Sequence, residues 1–200
     1  MMCKPHRWCL WLIAVLCCGC FGSIPSTFYY TLQPAPEPVV AAKNPQTANL
    51  TIGIGPVTLP RHLDRDAIVT RISPNRLRVN ENYRWAGSLH SDILRGLSAH
   101  MESLPQVKEV VVFPWATSIE PDLRFRVEIL AFEGRPGQTV TLQAAWTMAP
   151  GSSDQAAVRR VSLIQEKTQG DSMEEMVAAM ARALNQLGRE MGQAITKARP

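Results

Sequence analysis

The hydrophobic positions of this chain change period several times, and the changes mark out its elements. Phe28-Tyr29-Tyr30-Thr31-Leu32 is an aromatic and β-branched stretch that predicts a first strand. Leu50 to Val57 alternates apolar with small residues and predicts a second. Ala67–Ile72 and Arg76–Val79 follow as strands joined by Ser73-Pro74-Asn75, a turn sequence. From Ser88 the period lengthens: Leu89, Ile93, Leu97, Met101 and Leu104 recur at the spacing of one helix face. Ser88 can cap that helix, and Pro105 ends it. Val107–Phe113 predicts another strand. Then Leu123, Phe125, Val127 and Ile129 alternate with Arg124, Arg126 and Glu128, the pattern of a sheet with one buried and one wet face. Gly134 to Gln138 reverses the chain, and Val140, Leu142, Ala144, Trp146 and Met148 alternate on the return, which predicts a long antiparallel hairpin. A strand around Val158–Gln165 comes next.

The last element is a long helix. Ser172 and Glu175 form a capping box, and Asp171 adds negative charge at the same end. Met173, Met176, Val177, Met180, Leu184, Leu187, Met191 and Ile195 trace one apolar stripe, with core packing as its ordinary reading and a lipid-accommodating groove as the alternative. Two main helices packed on one face of a mostly antiparallel sheet, in a single α+β domain, is the economical assembly.

Two interruptions stand out. Pro34–Ala48 carries four prolines, each fixing φ and lacking an N–H, so it reads as an extended loop. Gly53 and Gly55 suggest a phosphate loop, but no third glycine or Lys-Ser/Thr follows and Pro56 blocks entry into a helix. A strand with close neighbours is the better reading.

The N-terminus has a different character. Residues 1–7 hold Lys4 and Arg7 and no acid, Trp8 to Leu16 is uniformly apolar, and Cys17-Cys18-Gly19-Cys20 follows at once. This is the layout of a secretory signal, and the apolar run is too short to span a bilayer core comfortably. The cut site resembles the lipobox of bacterial lipoproteins, in which a small residue precedes a Cys that is acylated and becomes the new N-terminus. Gly19 before Cys20 fits best, and Cys18 is the alternative attachment point. The division that follows is a signal peptide over 1–19, an anchor and short tether over 20–27, and a periplasmic domain over 28–200. Phe21 replaces the Asp that, in such lipoproteins, favours retention in the inner membrane, which implies sorting to the outer membrane.

Composition narrows the chemistry. All five cysteines lie at or before position 20, which removes a disulfide framework or a cysteine-ligated metal from the rest of the 200-residue chain. The formal charge is +4, and losing Lys4 and Arg7 leaves 19 basic against 17 acidic residues, or +2. That is too little to indicate nucleic acid. His90 and His100 are ten residues apart and point in different directions on their helix, without an H-E-x-x-H frame. Gly87-Ser88 and Gly151-Ser152 lack the G-x-S-x-G elbow, and Asp64 and Asp66 are explained by Arg61 and Arg65 beside them. No catalytic residue, metal ligand or cofactor site is expected. Arg61, Arg65, Arg71, Arg76, Arg78 and Arg84 face only Asp64, Asp66 and Glu81 within their segment. Guanidinium groups suit oxyanion or partner surfaces, and local ion pairing on a solvated face is the other reading.

Several blocks resemble the ABC-transport auxiliary lipoproteins of PqiC type. They are Cys20, the Tyr29-Tyr30-x-Leu32 strand, GIGPVTLPRHLDRDAIVTR (Gly53–Arg71), Arg84-Trp85-Ala86-Gly87-Ser88-Leu89 opening a helix, and the amphipathic final helix. The resemblance implies a lipoprotein held at the outer membrane by its acyl chains and facing the periplasm. It implies work with an MCE-domain protein and an ABC-type transporter that move phospholipid or other hydrophobic molecules. By the same resemblance Arg61, Arg65 and Trp85 become candidate partner contacts. A homo-oligomer would suit docking, since several copies could form a ring. The alternatives are a lipid-binding carrier domain and an assembly factor for a β-barrel.

Overall fold

The computed structural model describes residues 26–33, 48–151 and 158–198. The signal segment, Cys18 and Cys20, and nearly all of the Pro-rich stretch 34–48 lie outside the described residues. The element order is β1 (Phe28–Tyr30), β2 (Leu50–Thr58), β3 (Ala67–Ser73), β4 (Arg76–Trp85), α1 (Leu89–Ser103), β5 (Val107–Val112), β6 (Leu123–Gly134), β7 (Thr139–Pro150), β8 (Val158–Lys167) and α2 (Met173–Ala198).

Three pairs are antiparallel: β3–β4 and β6–β7, whose turns the sequence marks, and β7–β8. Four other pairings among the described residues are parallel: β1–β4, β2–β5, β2–β6 and β3–β6. The sheet is therefore mixed, which corrects the expectation of a mostly antiparallel one. The cause is topological. A tight turn announces its hairpin in the sequence, whereas parallel neighbours meet through long crossovers that leave no local signal. Here α1 supplies such a crossover, returning the chain from β4 to place β5 beside β2.

β6 organises the assembly. β7 pairs with it from Leu123 to Gly134 and so occupies one edge along its whole length. β2 and β3 must then share the other edge, β2 against residues 123–128 and β3 at Gly134. The loop between β2 and β3 consequently lies where the two halves of the sheet meet.

Both helices cover the same face of the sheet. Ser88 sits in extended conformation (φ −105°, ψ 142°) and its Oγ accepts from the Ser91 N–H at 3.0 Å, capping α1. Ser172 caps α2 in the same way, accepting from the Glu175 N–H at 3.1 Å. Ile93, Leu97 and Met101 of α1 and Met176, Met180, Leu187 and Met191 of α2 are buried against Ile52, Ile54, Phe125, Phe132, Leu142 and Trp146 of the strands. The methionine stripe is core, as its ordinary reading holds. The helices cross closely at glycines: a Cβ on Gly188 would stand 2.8 Å from His100 Cγ, and one on Gly96 would stand 2.7 Å from Leu184 Cδ2.

Gly53 and Gly55 belong to β2, not to a phosphate loop. A Cβ on Gly53 would meet the Trp115 ring at 3.0 Å, so glycine lets that indole lie against the strand, and Gly55 has φ +114°.

No helix among the described residues is long and apolar enough to cross a membrane.

Candidate functional site

The loop from Leu59 to Asp66 carries two of the three candidate contacts. Its backbone folds on itself, with the Leu63 N–H donating to Pro60 O at 2.9 Å and the Arg65 N–H to Leu63 O at 2.9 Å. Leu63 is 3% exposed and anchors the loop in the core, while Arg61, Asp64, Arg65 and Asp66 face solvent. At its far end the Trp85 N–H donates to Asp66 O at 2.7 Å. On the neighbouring side, His90 Nε2 lies 3.0 Å from Val57 O. The result is a short loop held by backbone hydrogen bonds, with Arg61 and Arg65 exposed on it.

Trp85 plays a different part from the one its sequence context suggests. Its side chain is 4% exposed and belongs to the core cluster, so it is not a surface contact in this structure. The indole seats the end of β4, and through the hydrogen bond from the Trp85 N–H to Asp66 O that strand end holds the loop. Trp85 is thus a buried anchor at the strand end to which the loop bearing Arg61 and Arg65 is hydrogen-bonded.

The six arginines of the segment do not form one patch. Arg71 donates Nε and Nη2 to Glu133, whose side chain is buried, and Nη1 to Pro74 O at 2.8 Å. Arg84 pairs with Glu81 at 3.4 Å. Arg76 opens β4 beside the β3–β4 turn, about 20 Å from Arg65 along a seven-residue strand at 3.3 Å per residue. The ion-pair reading holds for Arg71 and Arg84.

β1 lies at the edge of the sheet beside β4, with Phe28 stacked on Tyr83 at 5.8 Å between ring centroids. Leu32, just beyond it, is buried, and its N–H donates to Asp92 Oδ2 at 2.8 Å. Asp92 also pairs with Arg95 one turn along α1. Burial pushes the Tyr30 phenol above its ordinary range, and Tyr83 and Glu174 push in the same direction.

A second feature went unnoticed as a site in the sequence. On the sheet face away from the helices, strand pairing sets Arg126 opposite Thr147 and Thr147 opposite Arg159, with Arg124 opposite Ala149. These side chains, with Pro56 and Thr58, line a groove of about 460 Å³ whose only acidic lining residue is Glu128. Arg160, also on its lining, lies over the Trp146 ring at 5.9 Å. The alternation of Arg124 and Arg126 marks a wet face in sequence, but bringing Arg159 alongside requires the register of two hairpins.

Among the described residues no group of three or more His, Cys, Asp or Glu side chains could hold a metal ion.

Comparison with known proteins agrees with this architecture. A crystal structure of an uncharacterized protein superposes with a TM-score of 0.69 at 21% identity, covering 85% of this chain and 99% of that one. A Xanthomonas campestris protein superposes with a TM-score of 0.65 at 16% identity, covering 86% and 99%. At these identities the likeness establishes the fold. No curated protein matches the chain. The family model described as the ABC-type transport auxiliary lipoprotein component matches residues 30–192, most of the domain and all ten of its elements in whole or in part. The chain therefore belongs to the ABC-type transport auxiliary lipoprotein component family, the PqiC type that its motifs resemble.

Proposed function

We propose that this protein is a docking component of an envelope transport system, acylated at Cys20, held at the outer membrane and facing the periplasm. Its partner is an MCE-domain protein working with an ABC-type transporter, and the cargo is phospholipid or another hydrophobic molecule. Membership of a transport auxiliary family over residues 30–192 carries the reading. The hydrogen-bonded loop bearing Arg61 and Arg65 supports it locally: exposed guanidinium groups on a pre-ordered loop can meet carboxylates on a partner without first losing backbone freedom.

Copurification in mild detergent tests the docking. The wild-type lipoprotein brings down an MCE-domain protein, and Arg61→Glu with Arg65→Glu weakens recovery by about tenfold, because like charges then face the partner. Recovery of the wild type alone, under conditions that keep such assemblies together, would refute the proposal. Intact-mass analysis of membrane-extracted protein tests the anchor: Cys20 carries acyl mass as the new N-terminus, and a free thiol or an uncut leader counts against it.

A further inference from the structure

The sheet ends on one side at β8, which pairs with β7 alone among the described residues. The ladder between them keeps an unbroken register from Val158 to Lys167, and the strand holds no proline. Its outer edge therefore presents N–H and C=O groups in a straight row, the arrangement with which another strand can pair. The other two edge strands are shorter: β1 has three residues, and β5 has six, with Lys108 and Glu109 exposed on it. Short length and charge are the usual means of keeping an edge from pairing. β8 has ten residues, and its central run Val161-Ser162-Leu163-Ile164 carries no charge.

The side chains of β8 define what such a strand would bring. Ser162 donates to Glu190 of α2 and Ile164 belongs to the core, so Val161 and Leu163 point to the open face. There they are 63% and 64% exposed, the two most exposed large aliphatic side chains among the described residues. Ala145 and Gln143 of β7 flank them on the inner side only. A strand added about 4.8 Å outboard would flank them on the other. At the N-terminal end of β8, Arg159 and Arg160 are exposed. The strand's one acid, Glu166, pairs with Arg182 at 3.6 Å, and Arg182 Nη2 also donates to Lys167 O at 2.9 Å, which closes the C-terminal end. The open edge is thus basic at its start and aliphatic along its middle.

We infer that β8 takes up an extended, acidic-ended segment of a partner protein as an added antiparallel strand. Its aliphatic side chains lie beside Val161 and Leu163, and its carboxylates lie beside Arg159 and Arg160. Strand addition satisfies the backbone row and the side chains together, which an apolar surface resting on Val161 and Leu163 would not. β8 lies beyond β7, on the opposite side of β6 from the loop bearing Arg61 and Arg65, so this site goes beyond docking through that loop and either can fail alone.

Fluorescence anisotropy with the mature acylated chain in neutral detergent tests the inference. The probe is the dye-labelled peptide Thr-Thr-Val-Thr-Val-Glu-Glu, which in antiparallel register sets its valines beside Leu163 and Val161 and its glutamates beside Arg160 and Arg159. It binds saturably, and the version ending in Lys-Lys binds at least about tenfold more weakly. Two further versions are N-methylated at alternate residues, one in each phase. One loses binding by about tenfold or more and the other keeps it, because a strand pairs through one edge at a time. Hydrogen exchange of β8 amides slows on binding, while that of the Leu59–Asp66 loop does not change. Val161→Lys with Leu163→Lys lowers affinity by about tenfold or more, and urea unfolding verifies that this variant folds. Should it fail that check, Arg159→Glu alone reverses the preference between the Glu-Glu and Lys-Lys peptides. Equal binding of the two N-methylated peptides overturns the inference, as does equal binding of the acidic and basic ones. A dimer in sedimentation that Val161→Lys/Leu163→Lys dissociates would give the edge to a second copy of the chain. Quenching of a dye on Val161→Cys by brominated lipid would give it to the membrane. Peptide binding that survives Arg61→Glu/Arg65→Glu while partner copurification is lost separates this site from the docking loop.

Discussion

Replacing Trp85 by Ala separates an anchoring side chain from a contacting one. Trp85 is 4% exposed, and a buried indole removes about 200 Å² from water, worth about 5 kcal/mol at 25 cal/mol per Å². Measured Trp-to-Ala changes in cores cost about 3–5 kcal/mol, because part of the cavity collapses. With a urea m-value of about 2 kcal/mol per M for a domain of this size, the midpoint falls by about 1.5–2.5 M. Urea unfolding followed by far-UV circular dichroism reads that shift directly. The loop bearing Arg61 and Arg65 should also become more open to proteolysis well below the midpoint, since the hydrogen bond from the Trp85 N–H to Asp66 O depends on the same strand end. A variant with unchanged midpoint and normal loop protection, but with lost partner recovery, would refute this reasoning and return Trp85 to the surface role its sequence context suggested.

Two further outcomes are expected. Tyr30 has its phenol pKa raised by burial, so its neutral form is favoured in the folded state. Its contribution to stability is complete below the unfolded tyrosine pKa of about 10 and is lost as pH rises through the folded value. Tyr30→Phe should therefore flatten the loss of stability above about pH 10 in urea titrations, and an unchanged pH profile would refute it. Arg71→Ala leaves the buried Glu133 carboxylate without its guanidinium partner and should cost about 3 kcal/mol, the lower end for breaking a buried pair because Arg71 itself is 40% exposed. A urea midpoint within error of the wild type would show that Glu133 is satisfied without it.

The elements were legible because each depended on local chemistry. Ser88 and Ser172 carry the caps that open both helices, Pro105 follows the end of α1, and the alternation from Leu123 to Ile129 marks β6 and its buried face. Sheet order was not legible, since nothing in Leu50–Thr58 states that β2 will lie between β5 and β6. That placement is fixed by the α1 crossover and by which apolar faces pack under the helices. The candidate site divides along the same line. The exposure of Arg61 and Arg65 follows from a charged turn after Pro60, whereas an aromatic residue beside arginines reads alike whether its ring points outward or, as at Trp85, into the core. Arg159 joins Arg126 only through pairing with β7 from both sides, a relation between residues 33 positions apart that no window on the sequence contains.

The parallel pairing of β1 with β4 bears on how the domain resists force. A tug on Phe28 from its N-terminal side runs along the strand axis, so the β1–β4 hydrogen bonds are strained together in shear instead of peeling one by one. Beyond the strand, the pull reaches Leu32, which is sunk in the core and clamped to α1 through Asp92. The chain thus meets traction at this end with a mechanical fastener built from a three-residue edge strand and one buried carboxylate, and the helix layer behind it shares the strain.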